Sequence, residues 1–403
     1  MDKISVAGAQ YLRPGAGERP VEYRYDVVVV GGGPAGIAAA RAAAEAGAGA
    51  VLLERQPAIM AWKPCGEATS RGTFDTAGVK PAPHIVVKEA YARVYAPGGR
   101  YVEIRDVGYS INKSAFLQAM AELAASAGAS IRVREDVEAV ARRPDGTMEV
   151  RTRGGIYTAR VVIGADGYNS TVAKSLGIRE RSEPIPTVQY VMANTRLGDR
   201  DAVRFYLGNS VAPRGYAWIF PKAGTIAEVG IGTRGVPAKE YLDRFLSRAS
   251  DELRGAQIID YRGAPVPIGG IISRNVVDGA ILVGDAAGTV IPFTGAGIHS
   301  SIAAGLVAGR VAARAAKEGD NSERRLREFD AEYEEPWGRR IRDSLRAMRV
   351  FERLEDRDLD ELAGVLGPQD VVDLANGLNL RSVAAKLLSH PRLALKVARA
   401  LLG

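Results

Sequence analysis

One stretch, "YDVVVVGGGPAGIAAARAAAEAGAGAVLLER" from Tyr25 to Arg55, restricts the possible folds more than any other part of this chain. Its apolar run, Val27 to Val30, has the pattern of a strand buried on both faces. The chain then turns through Gly31, Gly33 and Gly36 into an alanine-rich segment of helical composition, and a second apolar strand, Val51 to Leu53, ends at Glu54. The three glycines suit three needs: a tight turn, a bare backbone that a pyrophosphate can approach, and close helix–strand packing. A helix N-terminus at this place points free amides at phosphate oxygens. Glu54, 18 residues after Gly36, stands where a carboxylate can accept from a pair of ribose hydroxyls. Glycine-rich turns can serve packing alone. Strand, helix and acid in sequence instead indicate a dinucleotide-binding unit.

Composition narrows the remaining options. The 403 residues, 46% hydrophobic and 25% charged, suffice for a full core and two or three domains. Residues 1–24 carry scattered charges and no apolar run of signal-peptide length, so a cytoplasmic location is expected. Cys65 is the sole cysteine, which excludes an intrachain disulfide, and no Cys/His cluster has the spacing of metal ligands. The net charge of +7 is concentrated at one end. From Leu374 onward there is no Asp or Glu, yet Arg381, Lys386, Arg392, Lys396 and Arg399 all fall there. The tail has no aromatic residue to stack on bases, and no nucleic-acid-binding pattern occurs anywhere, so nucleic acid is not an expected partner.

Two later segments repeat the strand-then-glycine theme. "VVIGADGYNSTVAKSLG" carries Ala165-Asp166-Gly167, and "AILVGDAAGTVIPFTGAGIHSSIAAGLVAG" carries Gly284-Asp285, then Pro292, Gly295, Gly297 and Ile298. Together with the first motif they resemble the para-hydroxybenzoate hydroxylase-like flavoprotein superfamily. That resemblance implies FAD as cofactor, with Asp285 on the ribityl chain. Gly295 and Gly297 lead into a helix whose N-terminal amides could stabilise negative charge on a reduced flavin ring. Residues 286–309 lack Asp, Glu, Lys and Arg, but their Gly, Pro, Thr and Ser content fits a buried loop and helix better than a membrane span. No second strand-linked GxGxxG marks a resident NAD(P).

The segment "APRGYAWIFPKAG", 212–224, sets Tyr216, Trp218 and Phe220 at alternate positions, on one face of a strand. Such stripes usually fill cores. Here "PRGYAWIFP", followed by Gly230-Ile231-Gly232, resembles the PxxYxWxFP motif of the geranylgeranyl reductases, as do "KPCGEA" at 63–68 and "GDAAGTVIPFTGAGI". The resemblance runs from Tyr25 to the end, and within the family it is to the archaeal lipid branch. It implies an FAD-dependent reductase that saturates geranylgeranyl double bonds in membrane lipid precursors such as digeranylgeranylglycerophospholipid, with NAD(P)H or ferredoxin as electron donor. Carried over residue by residue, it implies FAD contacts at Gly36, Glu54, Cys65, Gly66, Ala68, Val137, Asp285, Gly297 and Ile298, and at Lys113, where the family often has arginine. Cys65, Tyr216 and Trp218 become the expected catalytic residues, and Tyr216, Trp218 and Phe220 the expected substrate wall.

The chemistry is consistent with those residue types. An isoprenoid chain offers only apolar contact, so it needs a long channel with flat walls. Hydride delivery to an isolated alkene must be matched by a proton at the other carbon. Cys65 is one candidate to position or relay that proton; Glu67 and a buried water are others, and His299 reads as a satisfied core residue. Two readings compete: an FAD-dependent aromatic monooxygenase, and an electron-transfer flavoprotein or lipid carrier without chemistry of its own. Ala173 and Gly288, where the hydroxylases carry arginine and histidine, count against the first. The expected architecture is α/β (α+β): an N-terminal extension at 1–24, a Rossmann-like FAD domain at 25–185 and 265–345, a substrate-binding β domain at 186–264 and C-terminal helices at 346–403. The basic tail suggests peripheral contact with the inner face of the cell membrane.

Overall fold

The computed structural model describes residues 21–248 and 251–402, without the side chains of 106–107 and 398–402. Its centre is a six-stranded sheet ordered 276–277, 280–282, 161–164, 27–30, 50–54 and 130–133. All neighbours are parallel except the short pair at 276–282. Val27–Val30 is fully buried in the middle, as its unbroken valines require. The helix Pro34–Glu45 packs on this sheet and against the long helix Ile298–Glu318. Two glycines permit that crossing: a Cβ on Gly305 would lie 2.1 Å from the Ala35 carbonyl oxygen, and one on Gly309 would lie 2.3 Å from that of Ala39. The uncharged stretch beginning at Ala286 is therefore an interior loop and helix, and no helix among the described residues is long and apolar enough to cross a membrane.

A four-stranded sheet, ordered 22–24, 155–159, 148–152 and 137–142, flanks this core. Its edge strand Glu22–Arg24 pairs in parallel with Ile156–Thr158, so these three residues belong to the folded body and not to an extension ending at 24. The rest of the expected extension, 1–20, lies outside the described residues.

The third sheet has eight strands, ordered 257–267, 184–193, 227–232, 216–221, 202–207, 86–95, 101–111 and 68–69. This differs from the expected substrate domain of 186–264. Three of its strands, 68–69, 86–95 and 101–111, come from the segment assigned to the FAD domain, because Tyr91–Tyr95 pairs in parallel with Ala202–Tyr206. A five-stranded sheet ending at 202–207 would expose both a strand edge and the apolar face around Ala90, Ala92 and Val203.

Five helices from Arg339 to Leu402 close the chain. Leu354, Leu359, Leu362, Leu387 and Leu393 form their own core. Three cations of the basic tail are not free: Arg392 and Lys396 both reach Asp358, whose side chain is 0% exposed, and Lys386 reaches Asp370. The acid-free tail folds back on acids that precede it in sequence, and those cations hold the Asp358 carboxyl below the usual carboxylate range against the opposing effect of burial. The side chain of Arg399, another of the tail's cations, lies outside the described ones.

Candidate functional site

One cavity of about 740 Å³ runs from the glycine turn to the aromatic strand and on to the C-terminal helices. At its first end the wall is main chain. Gly31 has φ +104, and a Cβ there would sit 2.4 Å from the Ala165 carbonyl oxygen. Gly33 faces open space, with nothing within 4 Å of a built Cβ, and it begins the helix Pro34–Glu45 without any side-chain cap or first-turn acid. The helix Ile298–Glu318 starts at Gly297 with the same two omissions. Two uncapped helix N-termini thus open on one cavity, which suits an anion at each. Glu54 stands at the end of its strand and accepts from the main-chain amides of Gly32 and Gln56, each at 2.7 Å. Asp166 accepts from the amides of Thr171 and Val172, and its Oδ1 is buried without a partner among the described residues. Glycine cradle, orphan carboxylate oxygen and paired helix ends all fit FAD.

Of the predicted cofactor residues, Gly31, Gly33, Glu54, Cys65, Gly66, Lys113, Val137, Asp285, Gly295, Gly297 and Ile298 line this cavity. Gly36 and Ala68 do not. A Cβ on Gly36 would meet the Gly31 carbonyl oxygen at 1.9 Å, so that glycine closes the turn on the helix instead of facing a ligand. Ala68 pairs with Ser110 and packs on the aromatic cluster behind the wall. Asp285, the expected ribityl partner, is ion-paired with Lys63, a residue that sequence reasoning passed over.

The other end is apolar. Tyr216, Trp218 and Phe220 project from one face of their strand into the cavity, as the alternation predicted. Across the sheet they face Gly232, Gly230 and Glu228 in register, and a Cβ on Gly230 would collide with the indole at 2.2 Å. Behind the cavity the same rings contact Ala90, Ala92, Val203 and Phe205. Channel wall and core are here two sides of one stripe. The Tyr216 hydroxyl donates to the Thr294 carbonyl, and burial raises its pKa further. Gly66 lies flat on Phe220, where a Cβ would be 2.3 Å from the ring. This contact sets the 65–67 turn against the aromatic strand. Cys65 Sγ accepts from the Glu67 amide at 3.4 Å, Glu67 has φ +51, and its carboxylate binds Lys222 at 2.8 Å. His299 is hydrogen-bonded to Thr76 and edge-on to Trp337, with burial lowering its pKa.

The far stretch of wall escaped sequence reasoning altogether. Phe293, Met348, Phe351, Leu354 and Leu359 line it, and four of these five lie in the C-terminal helical region, 346–403, to which no substrate contact was assigned. Met348, Phe351 and Leu359 lie on helices, where their only signal was apolar spacing at helix period, which any packed helix shows, and Phe293 and Leu354 lie on connections between helices or strands.

Residues 184–266 match the geranylgeranyl reductase catalytic domain, and residues 26–180 match the FAD dependent oxidoreductase family. A digeranylgeranylglycerophospholipid reductase of Methanocaldococcus jannaschii is 34% identical over 392 residues, spanning 94% of this chain and 98% of that one. One from Methanothrix thermoacetophila is 36% identical over 368 residues, spanning 86% and 93%. Among solved structures, a geranylgeranyl bacteriochlorophyll reductase-like protein from Thermoplasma acidophilum superposes with a TM-score of 0.84 at 30% identity, covering 94% of this chain and 100% of that one. The flavin-dependent halogenase CmlS, at 20% identity and a TM-score of 0.65, shares the fold alone.

Proposed function

The chain belongs to the family of digeranylgeranylglycerophospholipid reductases, and from that premise we propose how its own residues carry out the reduction. It is an FAD-dependent oxidoreductase that saturates carbon–carbon double bonds of geranylgeranyl groups in archaeal lipid synthesis. The observation that carries the assignment of roles is the continuity of one cavity from the glycine turn to the aromatic strand and the C-terminal helices. Reduced FAD, when bound, supplies the hydride.

The protein supplies position, dryness and a proton. The amides at Gly33 and Gly297 would hold the anionic parts of the cofactor, with Glu54 on a ribose and Asp285, once released by Lys63, on the ribityl hydroxyls. Tyr216, Trp218 and Phe220 hold isoprene units by flat contact and exclude water. Their faces also stabilise the positive charge that develops on the tertiary carbon as the adjacent alkene carbon is protonated. Cys65 borders both halves from the turn pinned on Phe220, and its role is to position the reacting unit or relay the proton. NAD(P)H or a ferredoxin would provide the electrons. Leu388 and Leu395, 74% and 53% exposed on the helices that cover the Leu354–Leu359 end, would give peripheral membrane contact and a path for the lipid.

Anaerobic mixing of photoreduced holoprotein with a geranylgeranyl lipid tests the reading. Flavin reoxidation with formation of saturated lipid is expected. A flavin that stays reduced until oxygen enters would sink it, and would favour a monooxygenase or an electron carrier.

A further inference from the structure

Each saturated double bond takes one hydride and one proton, yet the protic groups bordering the aromatic half of the cavity are poorly placed to give a proton away. The Tyr216 hydroxyl is committed to the Thr294 carbonyl, and the Thr187 hydroxyl donates to the Ala264 carbonyl at 2.7 Å. The Cys65 thiol is a weak acid toward an alkene. A buried carboxyl sits just behind them. Glu228 lies opposite Phe220 in the register of strands 216–221 and 227–232, and opposite Val191 on the other side, so its side chain shares the face of Tyr216, Trp218 and Phe220. It is only 7% exposed, and its Oε2 has no hydrogen-bond partner among the described residues.

We infer that Glu228 is the proton store for alkene reduction, delivering its proton toward the Cys65 end of the cavity. The inference rests on the reductase reading above. Burial lets the carboxyl keep a proton, and the charged groups that face it only partly oppose this. Lys222, on the turn after the aromatic strand, is engaged by the Glu67 carboxylate at 2.8 Å and the Ile111 carbonyl at 3.0 Å. Arg262, on the edge strand, is paired with Asp260 at 2.5 Å. Lys113 lines the cavity, and Glu67 adds negative charge from the turn that holds Cys65. Burial, opposed by the cations and reinforced by Glu67, pushes the Glu228 carboxyl up to about 8. At neutral pH it is an acid with a proton to give, within a cluster in which Lys222 and Arg262 are engaged by other groups.

The step balances. The O–H bond of Glu228, the alkene π bond and the bond that holds the hydride on reduced FAD would break and two C–H bonds would form, the FAD being oxidised by two electrons and the Glu228 proton passing by way of the 65–67 turn. The carboxylate recovers a proton from water between turnovers. Glu228 does not border the cavity itself, so it acts through intervening groups.

The test measures lipid-driven reoxidation of the photoreduced holoprotein between about pH 6 and pH 10, for wild type and Glu228→Gln. Wild-type rates should fall above about pH 8, where the store empties. Glu228→Gln should bind FAD normally, react about 100-fold more slowly at pH 7 and lose that alkaline limb. Glu228→Asp should restore part of the rate. A glutamine variant that keeps both the wild-type rate and the limb overturns the inference, whereas a wild type that the lipid cannot reoxidise overturns the reductase reading instead. An infrared measurement stands apart from turnover: wild type at pH 7 should show the carbonyl stretch of a protonated carboxylic acid that bleaches above about pH 8. Absence of that band overturns the inference even where the glutamine variant fails to fold.

Discussion

Around Gly31 and Gly33 the cavity wall is bare backbone edged by carboxylates, whereas around Tyr216 and Trp218 it is ring faces packed on side chains from neighbouring strands of the same sheet. The first region binds by directed donors whose placement follows from a turn and two helix starts. The second binds by shape and dispersion, and its placement follows from how eight strands align. The first should therefore fail abruptly when a single backbone atom moves, and the second should degrade by degrees.

The widest expected contrast is between two glycine substitutions of similar crowding. Gly31→Ala sets a Cβ against the Ala165 carbonyl at φ +104, so strain and a backbone clash coincide. It should weaken FAD binding at least 100-fold by fluorescence titration, corresponding to about 3 kcal/mol. Gly230→Ala meets mainly the Trp218 indole, which can shift, though the Val188 carbonyl oxygen at 2.8 Å adds some resistance. It should keep FAD and lower only lipid reduction. Equal loss of FAD in both would break the comparison.

Next in size is Trp218→Ala. Because the indole is core on one side and wall on the other, thermal stability and turnover should fall together, with a stability loss of about 3 kcal/mol, the lower end for a buried tryptophan. A variant that loses turnover but keeps its melting temperature would make the stripe wall alone. Asp285→Ala removes a carboxylate acceptor and also frees Lys63, so FAD release measured by equilibrium dialysis should increase about 10-fold. No change would mean that the Lys63 pair, and not the ribityl chain, is what Asp285 serves.

Smaller still is Cys65→Ser, which should retain FAD and the fold while slowing alkene reduction about 10-fold at constant KM. Wild-type turnover would leave Cys65 as packing next to Tyr216. The least effect concerns membrane contact. Leu388→Glu with Leu395→Glu should reduce co-sedimentation with vesicles at both low and high salt, whereas Lys396→Gln should mainly loosen the Asp358 pair. Salt-sensitive binding lost through Lys396 alone would return the contact to the cations.

Much of the cofactor half was readable because its determinants lie close together along the chain. Gly31, Gly33 and Glu54 occupy one βαβ unit, and the Gly295–Ile298 turn announces its helix within a few residues. Gly36 shows the limit of such reading: its place in the motif was right, but its surface faces the Gly31 carbonyl and not the cavity. The aromatic stripe was legible as an alternation. Whether it formed core or wall was not, since that depends on what lies on each side of the strand.

By itself the sequence determined a dinucleotide-binding α/β core, an FAD-type arrangement of glycines and acids, and a strand with three rings on one face. Each rests on interactions between near neighbours, where a turn, a helix start or a strand period leaves few alternatives. The tertiary structure alone decided that strands 86–95 and 101–111 join the substrate sheet, that Lys63 meets Asp285 across 222 residues, and that the tail's cations turn inward to Asp358 and Asp370. It also decided that Glu228 falls on the aromatic face. These depend on strand register and chain return, which are set by many weak burial and pairing terms summed over the whole molecule, and a shift of one residue in a strand would have turned Glu228 to the opposite face.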